Sequence, residues 1–166
     1  MVGRQFPTAV GMGALLSMFV IAPGLLHGAQ PRYEVGVERN VRVRMRDGVH
    51  LATDVYYPME DGHRLPGKLP AVLMRTPYDK SRWGVRYTRF FAEHGYLSVA
   101  QDCRGRFASE GEFFPFLDDP HDGYDTIQWL AEHPWSNGKV GMHGVSYMAW
   151  VQFHAATQNP PGPVSY

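Results

Sequence analysis

The residues best able to do chemistry lie near the C-terminus, in Val140-Gly-Met-His-Gly-Val-Ser-Tyr147. Gly144-Val145-Ser146 falls between an apolar run that reads as a buried strand and a stretch that reads as a helix. A serine in so tight a strand-to-helix turn holds its hydroxyl out at the C-terminal edge of a sheet, as a nucleophile elbow does. Residues flanking such a turn must be small, which accounts for the glycine. The following helix would aim the backbone N–H of Tyr147 at an oxyanion formed on an attacked carbonyl. The usual elbow has glycine two positions after the serine, where this chain has Met148. A plainer reading makes Ser146 the N-cap of that helix.

A serine needs a base to take its proton and an acid to orient that base. In elbow-bearing folds these follow the serine, acid first and histidine second. From Tyr147 to Tyr166 there is no Asp or Glu, and the only histidine is His154, inside a helix that runs away from the active edge. His143 precedes Ser146 within the strand and is poorly placed to reach it. Asp118, Asp119, His121, Asp122 and Asp125 suggest a metal. As a calcium loop from Asp118, however, the third position is Pro120 and the twelfth is Trp129, where a carboxylate is required. Acids at the positive end of a helix explain them better. Cys103 stands alone, so neither a disulfide framework nor a cysteine-rich zinc site can form. No metal or cofactor is implied.

The elements that must position Ser146 follow from periodicity. Val41-Arg-Val-Arg-Met-Arg46 alternates strictly, Asp47-Gly48 is a hairpin turn, and His50–Tyr57 is the returning strand. A polar loop spans 58–68. Pro70–Arg75, Tyr96–Ala100 and Val140–Val145 read as buried strands, and 81–94, Asp122–His133 and Tyr147–Thr157 as helices. Between Asp102 and Pro120 lies a long Gly-rich loop, and the Pro-Pro-Gly-Pro tail after Asn159 reads as a stop with no further strand. Strand and helix alternate from residue 70, which predicts an α/β fold: a mainly parallel sheet with an antiparallel leading hairpin.

With 166 residues, 44% hydrophobic and 19% charged, the chain fits one globular domain rather than a disordered one. Sixteen basic residues against 16 acidic leave no surplus for nucleic acid. Arg4 is the only charged residue before Arg32, and Ala14–Ala22 is apolar, followed by Pro23-Gly24 and the small pair Gly28-Ala29. These are the parts of a secretory signal over 1–29, leaving 30–166 as the mature chain, exported to periplasm or medium. A retained anchor is the competing reading, but Pro7, Gly11, Gly13, Pro23 and Gly24 interrupt the span that a membrane requires.

Five spaced motifs resemble the cocaine-esterase-like and X-prolyl dipeptidyl-peptidase-like acyl hydrolases. They are Val43–Pro58, Arg75-Thr-Pro-Tyr-Asp-Lys80, Gln101–Phe113, Asp125–Leu130 with Trp135, and Gly138–Tyr147. In that family the elbow reads Gly-x-Ser-Tyr, so Met148 is no departure. The resemblance implies that Ser146 is the nucleophile and that Tyr78 donates its phenol to the oxyanion beside the N–H of Tyr147. It implies an acyl-enzyme, a small ester or peptide-like substrate and no cofactor. The family's later strands, helical cap, C-terminal jelly roll and triad Asp and His are not in this chain. The expectation is therefore an α/β-hydrolase domain truncated after the elbow helix, inactive and marginally stable alone. A non-catalytic exported remnant and one half of a split hydrolase are the alternatives.

Overall fold

A computed structural model describes residues 30–162 and 164–165. The signal expected over 1–29 lies outside the described residues. The folded unit, Pro31–Tyr166, is a mixed sheet with helices on both faces. Its strands are β1 (Glu34–Arg44), β2 (His50–Glu60), β3 (His63–Arg64), β4 (Leu69–Thr76), β5 (Leu97–Asp102), β6 (Ser136–Met142) and β7 (Val164–Ser165). The helices are α1 (Val85–Glu93), α2 (Asp119–Glu132) and α3 (Tyr147–Ala156).

The sheet order is β1-β2-β5-β4-β6-β7, with β3 paired to β2. The leading hairpin joins the sheet antiparallel through β2 and β5, whereas β5, β4, β6 and β7 run parallel. Side chains alternate across the sheet. Leu73 and Val99 therefore pack with Ile127, Leu130 and Ala155 under α2 and α3. Their neighbours Met74 and Ala100 face the opposite way, towards Gly84 at the entry to α1. The fold class thus matches the expectation, including the leading hairpin.

Besides shifted bounds, with β6 at Ser136–Met142, α2 from Asp119 and the short β3 inside the expected loop, three local features differ from it. First, β1 begins at Glu34 rather than Val41, because a bulge between Glu38 and Val41 breaks the period of two. Val37 pairs with Tyr56, but Val41 pairs with Thr53, on the opposite face of β2. At the bulge Asn40 adopts φ 54° and donates its N–H to Asp54 Oδ1 at 2.9 Å. Second, the chain enters α1 through a π-helical turn over Lys80–Gly84. Third, the expected stop after Asn159 is corrected: Val164–Ser165 adds a short parallel strand to β6. The prolines do break the helix, but two residues beyond them suffice to bond the open edge of β6.

Candidate functional site

In parallel strands the loops that follow each C-terminal end share one rim. β4 and β6 are neighbours, with Leu73 opposite Met142. The segment after β4 carries Pro77-Tyr78 and the segment after β6 carries Ser146-Tyr147, so both arrive at the same edge. There the rings of Tyr78 and Tyr147 meet edge to face, 6.3 Å between centroids. β5 ends one strand over, with Asp102 opposite Thr76, and sends the loop containing Arg106 and Phe113 to that rim.

Ser146 is exposed and holds φ 58°, ψ −127°, a conformation that non-glycine residues rarely occupy. Its side chain makes no capping bond to α3, so the N-cap reading does not describe it. Its carbonyl does start the helix, accepting from the N–H groups of Ala149 and Trp150 at 2.9 and 3.1 Å. As the first helical residue, Tyr147 has an N–H with no intrahelical acceptor. The turn is possible because of Gly144: a Cβ there would lie 2.4 Å from Met148 Cβ.

Tyr78 stands 42% exposed on a loop fastened from several sides. Its N–H donates to Thr76 Oγ1 at 3.0 Å, and the carbonyl of Pro77 accepts from Arg106 Nε at 3.0 Å. The main anchor is Lys80, which is buried. Its N–H donates to Asp102 Oδ1 at 2.8 Å. Its ammonium donates to Asn40 Oδ1 at 2.8 Å and to Asp102 Oδ2 at 3.2 Å, with Asp54 Oδ1 at 3.6 Å. Burial pushes the Asp102 carboxyl up, against the pull of Lys80.

Tyr147 is fixed by its side chain as well as its place in the helix. The phenol donates to Asp119 Oδ2 at 2.6 Å and accepts the Phe116 N–H at 3.1 Å, while its ring stacks on Phe116 at 4.5 Å. Burial and the bond to Asp119 both push the phenol up, so it stays neutral. Asp119 in turn faces Arg75, which is fully buried and donates to Gln101 Oε1 at 2.9 Å and to the Asp119 carbonyl at 3.1 Å. Next to it Arg104 holds Asp122, with bonds of 2.6 and 3.1 Å. The acids from 118 onward thus do open a helix, but Asp119 and Asp122 are buried counter-ions to two arginines. Cys103 is buried, and burial drives its thiol up, so it is inert as a nucleophile.

The histidines lie apart from Ser146. His154 is eight positions further along the chain, about 12 Å along α3, with its ring beside Phe116 and Trp150. The His143 ring packs against Tyr87 and Phe91 of α1, and burial pushes its pKa down. Burial does the same at His133. A depressed histidine contributes stability above its ordinary pKa of about 6.5, and that stability is lost as pH falls through the folded value. The melting temperature is therefore expected to drop between pH 7 and 5, and to drop less in His143→Phe, which keeps the aromatic packing. An equal drop in both proteins would remove His143 from this role.

Neither Lys80 nor Asp119 was marked by sequence reasoning as supporting the site. The signal for Lys80 was partial: Pro-Tyr-Asp-Lys and Asp-Cys-Arg-Gly-Arg lie at the ends of adjacent parallel strands, with Thr76 opposite Asp102, so a residue of the first segment can turn back onto Asp102. Asp119 offered no such signal, because its partners Arg75 and Tyr147 come from distant segments.

A parallel sheet with a strained serine at a strand-to-helix turn on its C-terminal rim defines an α/β-hydrolase fold. The family model described as X-Pro dipeptidyl-peptidase (S15 family) matches residues 47–165, and the chain belongs to that family. It is 47% identical over 131 residues to cocaine esterase of Rhodococcus sp. (strain MB1 Bresler), covering 76% of this chain and 22% of that protein. Among solved structures it resembles an alpha-amino acid ester hydrolase at 30% identity and TM-score 0.66, covering 92% of this chain and 27% of the other. A CocE/NonD family hydrolase from Staphylococcus aureus matches at 30% identity and TM-score 0.66, covering 76% and 26%. The chain spans about a fifth of the length of the curated relative and about a quarter of these structures.

Proposed function

We propose that this chain carries the nucleophile and the oxyanion site of an exported serine hydrolase that cleaves carboxylic esters or amides. The observation that carries this reading is the strained Ser146 with no side-chain cap, followed by Tyr147, whose ring meets Tyr78 on the rim of the sheet. Ser146 Oγ attacks the carbonyl carbon and the C=O electrons move to oxygen. The resulting oxyanion is held by the Tyr147 N–H and the Tyr78 phenol, two preorganised donors. Collapse expels the alcohol or amine and leaves an acyl-serine, which water then hydrolyses. The proton of Ser146 needs a base that neither His143 nor His154 supplies, so the acid and histidine of the triad are contributed from outside these residues. Residues 1–29 direct the chain to export and are removed.

The test is protein purified from its native cells and treated with a fluorophosphonate. Mass spectrometry is expected to find the adduct on Ser146 and none in Ser146→Ala. Tyr78→Phe is expected to slow labelling about 10²-fold or more, the usual cost of one oxyanion donor. Labelling elsewhere, with Ser146 untouched, would end this reading. A second reading, one half of a split hydrolase, is favoured by the exposed Trp150 and Phe153 on α3 and by β7 standing at the edge of the sheet. It requires activity to appear only when a second polypeptide is added.

A further inference from the structure

Beside the elbow lies a cavity of about 340 Å³ lined by Pro77, Tyr78, Arg106, Phe113, Phe116 and Tyr147. We propose that it binds an aromatic carboxylate, with the ring between the aromatic walls and the carboxylate on Arg106. This deepens the hydrolase reading and rests on it for one consequence: the substrate is an ester or amide whose non-reacting part is a ring bearing an anionic group. The binding site itself does not depend on Ser146.

The walls select the ring. Phe116 and Tyr147 stack with planes 19° apart, Phe113 lies 6.1 Å from Tyr147, and Tyr78 closes the opposite side edge-on. Tyr78 and Phe116 each remain 42% exposed, so two aromatic faces stand open around a space the size of a small planar ligand.

Arg106 selects the charge. Its guanidinium is held in place 5.1 Å from the rings of both Phe107 and Phe113, and only its Nε is used, on the Pro77 carbonyl. Among the described residues no carboxylate forms an ion pair with it. Asp119 is committed to Arg75 and Tyr147, and Asp122 and Asp47 to Arg104, while Glu112, near in the chain, forms no ion pair with Arg106. What remains is a positioned cation with two free terminal nitrogens, the donor pair that a carboxylate accepts in bidentate fashion. An ammonium-bearing ligand would be repelled from the same place.

Benzoate and benzamide share a shape and differ in charge, so titrating the chain with each by calorimetry separates ring recognition from charge recognition. Benzoate is expected to bind at least about tenfold more tightly than benzamide. That preference should shrink as salt is raised, since the site is open to solvent. Arg106→Leu should bring benzoate down to the level of benzamide, and Arg106→Lys should keep part of the difference. Equal affinities in the unmodified protein overturn the proposal, as does a benzoate preference that survives Arg106→Leu. Should Arg106→Leu not fold, the benzoate-to-benzamide ratio of the unmodified protein and its salt dependence decide alone. Benzoate preference without labelling of Ser146 would leave the cavity standing and remove the hydrolase reading. Labelling of Ser146 without benzoate preference would do the reverse.

Discussion

Gly144→Ala is expected to destabilise the fold by about 3–5 kcal/mol, at the extreme of what single substitutions do, and to abolish reaction at Ser146. The new methyl would sit 2.4 Å from Met148 Cβ and 3.2 Å from the Met148 carbonyl carbon and oxygen, closer than real Cβ atoms come. The neighbours are the Cβ and backbone of Met148 in the first turn of α3, which leave little to yield, so relief must come from shifting the helix or opening the turn. Either movement changes the one backbone conformation that presents Ser146. Gly62→Ala is the control, because Gly62 has φ +76° and nothing within 4 Å of its added methyl. It should lose only about 1–2 kcal/mol, the cost of a left-handed side chain. Chemical denaturation of the two variants compares them directly. Equal losses would mean that the elbow has room to spare, and that its glycine is there for some other reason.

Arg75→Met is the second large effect, about 3–5 kcal/mol, because it removes one partner of a buried ionic cluster. Arg75 is fully buried, and Asp119 and Asp122 are 5% and 1% exposed. Without the guanidinium, Asp119 keeps the Tyr147 phenol and the Cys103 thiol but no cation, while Asp122 still has Arg104. An uncompensated carboxylate is best relieved by taking a proton. The deficit of Arg75→Met should therefore be larger at pH 8 than at pH 5. The double variant Arg75→Met/Asp119→Asn should recover part of it, since the pair is in contact and the losses are not additive. A deficit that is independent of pH and not rescued would assign the cost to lost packing alone.

The strand-to-helix elbow was legible in the sequence because it is local. Strand, glycine, serine and helix all lie within Val140 to Thr157, and each has its own signature. Whether Ser146 caps the helix with its side chain was not legible, since an elbow and a cap both place serine before a helix; the structure shows φ 58° and no capping bond. The start of β1 was hidden by the bulge, which moves the valines from one face to the other and so destroys alternation across Glu38 to Val41. β3 and β7 are two residues each, too short to carry a period. The ionic cluster of Arg75, Asp119 and Tyr147 joins three segments far apart in the chain. Composition could only say that an acid-rich helix start was present there.

The bulge in β1 also bears on the order of assembly. It turns Asn40 so that its N–H meets Asp54 and its side-chain oxygen meets the Lys80 ammonium, forty residues downstream. Lys80 is what seats the Tyr78 loop on Asp102. The Asn40 contact to Lys80 is a closure over long sequence separation, whose entropic cost comes before any gain from the contact. In a chain emerging from the ribosome the N-terminal strand is available first, so the chain order places Asn40 ahead of Lys80. A protein deprived of β1 would keep the Lys80 contacts to Asp102 and Asp54 and lose the one to Asn40, loosening the clamp on the Tyr78 loop. The position of Ser146 thus depends on local strand-helix geometry, and that of Tyr78 on contacts gathered from three strands.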